Sequence, residues 1–351
     1  MGGRNRRNQL LRSLSKTWVV QRLKQIDLSA VPSWLGPIVP TVSRYQHSLG
    51  VGRLSLLVPG GAVHDQLLLT AAAVLHDAGN GPFPHISDDL MENMLGFRHE
   101  GAVGFAFANS PLKDASILEE YGLDIAEISS ILEGRHRLSP FLCGLPDLDN
   151  ADNIRRFMMG IPGRPLGEAS YHPSEIAASM SLDAEEQKIP EDLRRRWLGD
   201  REKVYRYVWE DRQNMIGWTM LKRAMRILRE ELTPRFLTIT NREAFHLIRL
   251  RLPKLAKGLK DKGFRILLDR RYSQLRGEAQ KLTNPRSIGE VEDKLCRETG
   301  LADWSVGLTV DQPTTGEKAD HWRVYLVVFD DSEKPKKFLE DILSRSDHFV
   351  S

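Results

Sequence analysis

Cysteine is scarce in this 351-residue chain: Cys143 and Cys296 are the only two, and they lie far apart. Neither a disulfide framework nor a cysteine-based metal cluster can be built from them, and such usage fits a reducing, cytoplasmic compartment. Excess charge is missing as well. Fifty Lys and Arg stand against 47 Asp and Glu, and the net charge of +3 is too mild to indicate nucleic acid as a partner. No apolar run approaches the roughly 20 residues of a membrane helix, so no membrane partner is expected. The first 16 residues are basic but carry no apolar segment followed by a small-residue cleavage site, so they do not read as a secretory leader. Arg4, Arg6 and Arg7 read as part of a solvated, frayed terminus. Internal repeats and long low-complexity tracts are lacking too.

What is present is an ordinary globular composition, 41% hydrophobic and 28% charged, long enough for one large domain with an appendage. The stretch from Leu67 to His85 organises the rest. An apolar run, Leu67 to Leu75, reads as buried helix and delivers His76 and Asp77 side by side. An ionised carboxylate in a core is costly unless it is paired or binds a metal. Gly79 and Gly81-Pro82 then stop the helix. His76 and Asp77 should therefore sit at a buried helix end facing something polar, and a divalent cation such as zinc, iron or manganese suits both.

Taken in order, residues 8–26 show a helical stripe, and a loop with Pro32, Gly36, Pro37 and Pro40 follows. His47, Val51, Leu54 and Val58 share one helical face, which directs His47 inward. A short helix can start near Pro84, where His85 and Asp88 share a face. Phe97 to Ala108 reads as helix with His99 and Glu100 in its first turn, and 117–132 is amphipathic. A helix opens at Pro146 with Asp147, Asp149 and Asp152 near its start, where acidic groups favour the macrodipole. A loop-rich stretch from Pro162 to Pro190 precedes strongly helical residues 191–232. Beyond about 235, helices (Arg242 to Leu250, Val291 to Gly300) alternate with strand-like runs at Phe264–Leu268, Trp304–Val310 and Trp322–Phe329. The last two form a hairpin across a turn-rich loop at 311–320. The fold expected is mainly α: a helical core over 1–235 and a smaller C-terminal α/β appendage over 236–351.

The polar residues on apolar helices form the series His47, His76-Asp77, Asp149. That order resembles the ligand pattern of the HD-domain metal-dependent phosphohydrolases. Arg44-Tyr45-Gln46-His47-Ser48-Leu49-Gly50-Val51 is similar to the family's R-F-x-H-S-L-G-V, and Leu75 to His85 to its L-H-D-x-G-H-G-P-F-S-H. Both are close to the deoxynucleoside triphosphate triphosphohydrolase (SAM-and-HD-like) branch. Asp147 to Asn153 resembles that branch's D-V-D-K-x-D-Y, and His99-Glu100-Gly101 its H-E-x-G. The resemblance covers roughly residues 15–160, with a fainter likeness in the late hairpin. It implies an HD-domain helical core and one divalent metal ion (Mn, Fe, Co, Ni, Zn or Mg) held by His47, His76, Asp77 and Asp149. It further implies His99 as general acid, Asp88 orienting an imidazole, His85 and Arg44 on phosphate, and Gln25 (or Gln21) at the sugar. The substrate implied is a phosphorylated small molecule, a nucleotide or related phosphate ester. By analogy a homo-oligomer is expected.

Two departures stand out. Asn80 replaces a His of the family motif; it can hydrogen-bond substrate but cannot transfer a proton, which points to a shifted substrate or leaving group. Asn153 replaces a Tyr that packs at the sugar. Two other readings stay open: a metal-bound nucleotide-sensing or partner-binding module with little turnover, motivated by Asn80, and a two-metal HD phosphodiesterase or oxygenase using His85, His99 or His136. No G-Y-P motif supports the cyclic-dinucleotide phosphodiesterases.

Overall fold

Nine consecutive residues, Leu67 to Leu75, are buried in the helix Val63–Leu75, and the first compact unit is built around it. A helix that is apolar all round needs neighbours all round. In the computed structural model these are the helices Gly3–Leu14, Arg44–Ser55 and Ile125–Leu132. Residues 3–36, 41–112, 114–160, 166–311, 322–329, 332–344 and 346–349 are described. Among them, no helix is long and apolar enough to cross a membrane.

Arg44–Ser55 starts at a reciprocal cap. The Ser43 hydroxyl accepts from the Gln46 backbone N–H, and the Gln46 side chain accepts from the Ser43 backbone N–H. The helix Leu148–Gly160 packs across it and against Pro173–Ser179. Burial inside this bundle places His47, His76 and Asp77 where the apolar pattern directed them.

Several local expectations are corrected. The helix expected over 8–26 is divided into Gly3–Leu14, Trp18–Gln21 and the 3-10 turn Arg22–Gln25. At the break the Thr17 hydroxyl donates to the Leu14 carbonyl at 2.7 Å, and the Gln21 side chain donates to the Ser15 carbonyl. Short polar side chains offer the backbone this alternative to helix. Arg7 does not belong to a frayed terminus. It is buried, with Nε on Thr70 Oγ1 at 3.1 Å and Nη2 on the Ser55 carbonyl, so it ties the first helix to the two motif helices. The amphipathic run over 117–132 is two helices, because Gly122 adopts φ +68° between them and Asp124 caps the second. His99 sits in a 3-10 turn, His99–Ala102, ahead of the helix Val103–Ala108.

The second compact unit comprises residues 34–37, 205–232 and 243–351 as the chain divides; the first takes the rest. This departs from the boundary expected at 235, because the helix Arg212–Leu228 lays its buried face on the C-terminal sheet. Four antiparallel strands run in the order β2-β3-β1-β4: β1 Arg265–Gln274, β2 Val306–Asp311, β3 Trp322–Val328 and β4 Asp347–Phe349. β2 and β3 pair as the expected hairpin, with Leu308 opposite Leu326; its loop, beyond Asp311, falls outside the described residues. Leu308, Val324, Leu326 and Val328 face a core shared with Pro285–Thr299 and Lys334–Leu343. On the other face Thr309 meets Thr219 and the Tyr325 hydroxyl donates to the Trp209 carbonyl at 2.9 Å. Cover on both faces explains why β3 is a nearly continuous apolar run. Sequence reading stopped β1 at Leu268, since Asp269, Arg270 and Arg271 follow; in the sheet Asp269 pairs with Arg323 and Arg270 with Glu340.

Candidate metal centre and cavity

Three helices deliver the four side chains of the ordered series. His47 comes from Arg44–Ser55, His76 and Asp77 from the end of Val63–Leu75, and Asp149 from the first turn of Leu148–Gly160. His47 Nε2 lies 3.2 Å from His76 Nε2, 2.8 Å from Asp149 Oδ1 and 4.0 Å from Asp77 Oδ2. His76 Nε2 lies 3.4 Å from Asp77 Oδ2 and 3.7 Å from Asp149 Oδ1.

The remaining ring nitrogens set the tautomers. His76 Nδ1 donates to the Ala73 carbonyl at 2.9 Å, and His47 Nδ1 donates to Asp152 Oδ2 at 2.7 Å. Both Nε2 lone pairs then face each other and the carboxylates, an arrangement that calls for a shared positive charge. Burial opposes protonation of His47, but the bonds to Asp149 and Asp152 outweigh it and raise its pKa to about 10. Asp77 is buried too. Its Oδ1 accepts from Arg44 and from Asn80 Nδ2 at 2.7 Å, while Oδ2, on the side of the two imidazoles, has no hydrogen-bond partner. Burial works against its ionisation, and Arg44, His76 and His47 hold its carboxyl well below the usual range all the same. Two imidazole lone pairs and two carboxylate oxygens, one of them an orphaned buried atom, fit a divalent cation. Asp152 supports His47 from behind and is itself held by Arg156, the arrangement that fixes a metal-ligating imidazole.

Beside this quartet, Asp88 joins two more histidines. His99 Nδ1 donates to Asp88 Oδ1 at 3.0 Å and His85 Nδ1 to Asp88 Oδ2 at 3.3 Å. Burial lowers the affinity of His99 for a proton, yet the Asp88 bond and the Asp88 and Glu100 charges overcome it and raise its pKa above the ordinary value. His85, Asp88 and His99 are also close enough together to hold a cation. Their tautomers argue otherwise. His85 Nε2 accepts from Arg44 Nη2 at 3.2 Å, so the guanidinium already occupies that lone pair.

A cavity of about 710 Å³ opens over both clusters. His47, His76, Asp77, Asp149, Arg44, His85, His99 and Asn153 all line it. Asp88 stands behind the two histidines that do. Two expected substrate contacts are corrected. Gln25 is exposed at the end of its 3-10 turn and does not line the cavity, and neither does Gln21. Asn80 is fully buried and spends its amide on Asp77, so it orients that carboxylate and does not line the cavity.

Residues that sequence reading passed over hold the turn after His76-Asp77. Arg22 donates to the Ala78 and Asn80 carbonyls at 3.2 and 2.6 Å. Asn241 accepts from the Phe83 backbone N–H at 2.8 Å and donates to Asp27 at 2.8 Å. Phe83 and His85 adopt φ of +54° and +64°, a conformation side chains resist, and these clamps maintain it. Asp152 was open to detection, standing one turn after Asp149; Arg22 and Asn241 carried no local signal.

Comparison with known proteins follows the same residues. The family model of the HD domain matches residues 44–153. An uncharacterized protein of Bacillus subtilis, YdhJ, is 32% identical over 128 residues, 36% of this chain and 37% of that protein. A deoxynucleoside triphosphate triphosphohydrolase SAMHD1 homolog of Dictyostelium discoideum is 28% identical over 130 residues, 33% of this chain and 25% of that protein. The chain thus spans little more than a third, and a quarter, of these relatives. A phosphohydrolase of Bacteroides thetaiotaomicron, known as a crystal structure, shares the fold with a TM-score of 0.61 at 15% identity, over 90% of this chain and 94% of that one. The interval 44–153 runs from Arg44, beside His47, to the turn after Asp149, so the matched HD domain encloses His47, His76, Asp77 and Asp149.

Proposed function

We propose that this chain is a metal-dependent phosphohydrolase acting on a nucleotide or related phosphate ester, with one divalent ion held by His47, His76, Asp77 and Asp149. The observation that carries this reading is the shared cavity: the ligand quartet and a buried acid–base pair, His99 on Asp88, open onto the same space. A bound divalent ion supplies Lewis acidity at the phosphoryl oxygen and a lowered pKa for a coordinated water. Arg44 and His85 stand where a phosphoryl group would meet them, joined to each other and to Asp77. His99, favoured as imidazolium by Asp88, holds a proton for the leaving oxygen. Asn153 lines the cavity and has a buried Oδ1 without a partner, so it is suited to receive a substrate hydroxyl or amine.

One ion rather than two is favoured, because Arg44 and Asp88 already satisfy His85 and Asp88 holds the Nδ1 proton of His99. Asn80, the motive for a non-catalytic module, supports Asp77 away from the cavity, so its replacement of histidine leaves the acid–base pair intact. The test is a hydrolysis screen of the purified chain with manganese against nucleoside mono-, di- and triphosphates, with metal content measured in parallel. Product formation with one ion per chain is expected. A variant carrying His76→Ala and Asp77→Ala should lose both metal and turnover while keeping its circular dichroism spectrum; hydrolysis retained by that folded variant would refute the assignment.

A further inference from the structure

The reading above leaves open how many phosphoryl groups the cavity accepts, and its wall bears on that question. Arg44 is committed: Nη1 is on Asp77, and Nη2 reaches the Leu28 carbonyl at 3.3 Å and His85 Nε2 at 3.2 Å. Arg98 also lines the cavity, and its exposed guanidinium is paired with Glu92 at 3.3 Å. The Asn150 amide folds back on Asp147 Oδ2 at 3.1 Å. Among the described residues no lysine lines the cavity, whereas Glu100 and Glu133 do. Leu132, Leu142 and Leu145 complete that side. Donors are therefore gathered at the metal end, in His99 and the partly engaged Arg44. Away from it the wall presents the carboxylates of Glu100 and Glu133 and apolar surface, and its one arginine among the described residues, Arg98, is already paired with Glu92.

A single phosphoryl group placed against the ion finds those donors for its oxygens. Each further phosphoryl group of a di- or triphosphate would bring charged oxygens against carboxylates and leucines, and anionic oxygens desolvated without donors are strongly penalised. This holds for a metal-complexed polyphosphate as well, since its outer oxygens still need partners. Resting on the phosphohydrolase reading, we infer that the substrate is a phosphomonoester, with one terminal phosphoryl group and an alcohol portion that is uncharged or cationic where it passes Glu100 and Glu133. In the reaction the water oxygen bonds to phosphorus and the ester P–O bond breaks, its electron pair going to the alcohol oxygen. His99 protonates that oxygen. Of the two protons of water, one stays on the hydrogen phosphate released and the other restores His99.

Two measurements test this on the full chain with manganese in excess. In the first, p-nitrophenyl phosphate and adenosine mono-, di- and triphosphate are compared by kcat/KM, with orthophosphate and tripolyphosphate separated as products. Orthophosphate release from a monoester should exceed any reaction of the triphosphate by about 100-fold; tripolyphosphate release at comparable efficiency overturns the inference. In the second, thermal protection by orthophosphate is compared with that by tripolyphosphate at equal concentration. Greater protection by orthophosphate is expected, and the reverse order overturns the inference whatever the turnover. Protection by orthophosphate with no hydrolysis of any ester would sink the hydrolase reading while supporting a single-phosphoryl site. Glu133→Gln combined with Asn150→Lys should narrow the preference by about tenfold; a preference that does not move overturns the role given to the wall.

Discussion

His47 has both ring nitrogens engaged, and this assigns a different task to each carboxylate around it. Asp149 and Asp77 face the side that shares Nε2, whereas Asp152 holds Nδ1. Asp152→Asn keeps a carbonyl oxygen for that hydrogen bond but removes the charge that makes the imidazole a stronger ligand. Metal affinity should fall by about 10- to 100-fold with the fold intact, as read by titrating metal into the stripped protein; an unchanged affinity would mean that His47 needs no support. Asp88 exerts its effect through His99. Because the anion raises the His99 pKa, Asp88→Asn should lower it, so the imidazolium is lost at lower pH. The alkaline limb of the kcat/KM profile should therefore move down by about one unit; a limb that stays in place would assign the acid to another group. At this scale the buried polar cluster was legible because His47, His76 and Asp77 interrupt apolar helices, where a polar side chain needs a reason. Arg22 and Asn241 were not. Their partners are backbone groups 58 and 158 residues away, and nothing near either residue in sequence announces that bond.

Among the elements, the helices Arg212–Leu228 and Pro285–Thr299 are joined through a buried carboxylate. Glu292 is fully buried and accepts from Arg223 at 2.9 Å, from Arg226 at 2.8 Å and from the Leu308 backbone N–H at 2.7 Å. It thereby ties both helices to β2. Glu292→Gln leaves Arg226 without its counter-charge and Arg223 with the half-exposed Asp293 alone, and about 3 kcal/mol of stability should be lost in urea unfolding. Asp293→Asn, at the half-exposed partner of Arg223, should cost less than about 1 kcal/mol. Equal losses would mean that burial does not govern the pair. Periodicity located most long helices, since their apolar stripes are local. It missed the charged half of β1, whose pairing depends on Arg323 and Glu340 far along the chain. It also missed β4, three residues long, and the helices Pro253–Lys260 and Lys334–Leu343. Charge on an edge or a short element reads as loop until its tertiary partner is known.

At the scale of the molecule, the mainly helical class and the C-terminal α/β part followed from composition and pattern, because both summarise many residues at once. The division of the chain did not: the helix Arg212–Leu228 reads as a continuation of the helical part and packs with the sheet. A local pattern cannot say which of two cores an amphipathic face will join. The quartet has a similarly long reach, since His47 and Asp149 stand 102 residues apart and His76 falls between them. Closing a loop of that length is entropically expensive and follows local helix formation. Bound cobalt(II), with its visible absorption band, thus becomes a clock for chain closure. During refolding the band should trail the far-ultraviolet helical signal, marking the moment at which Leu148–Gly160 docks on Arg44–Ser55; simultaneous appearance would mean that the two helices dock as they form.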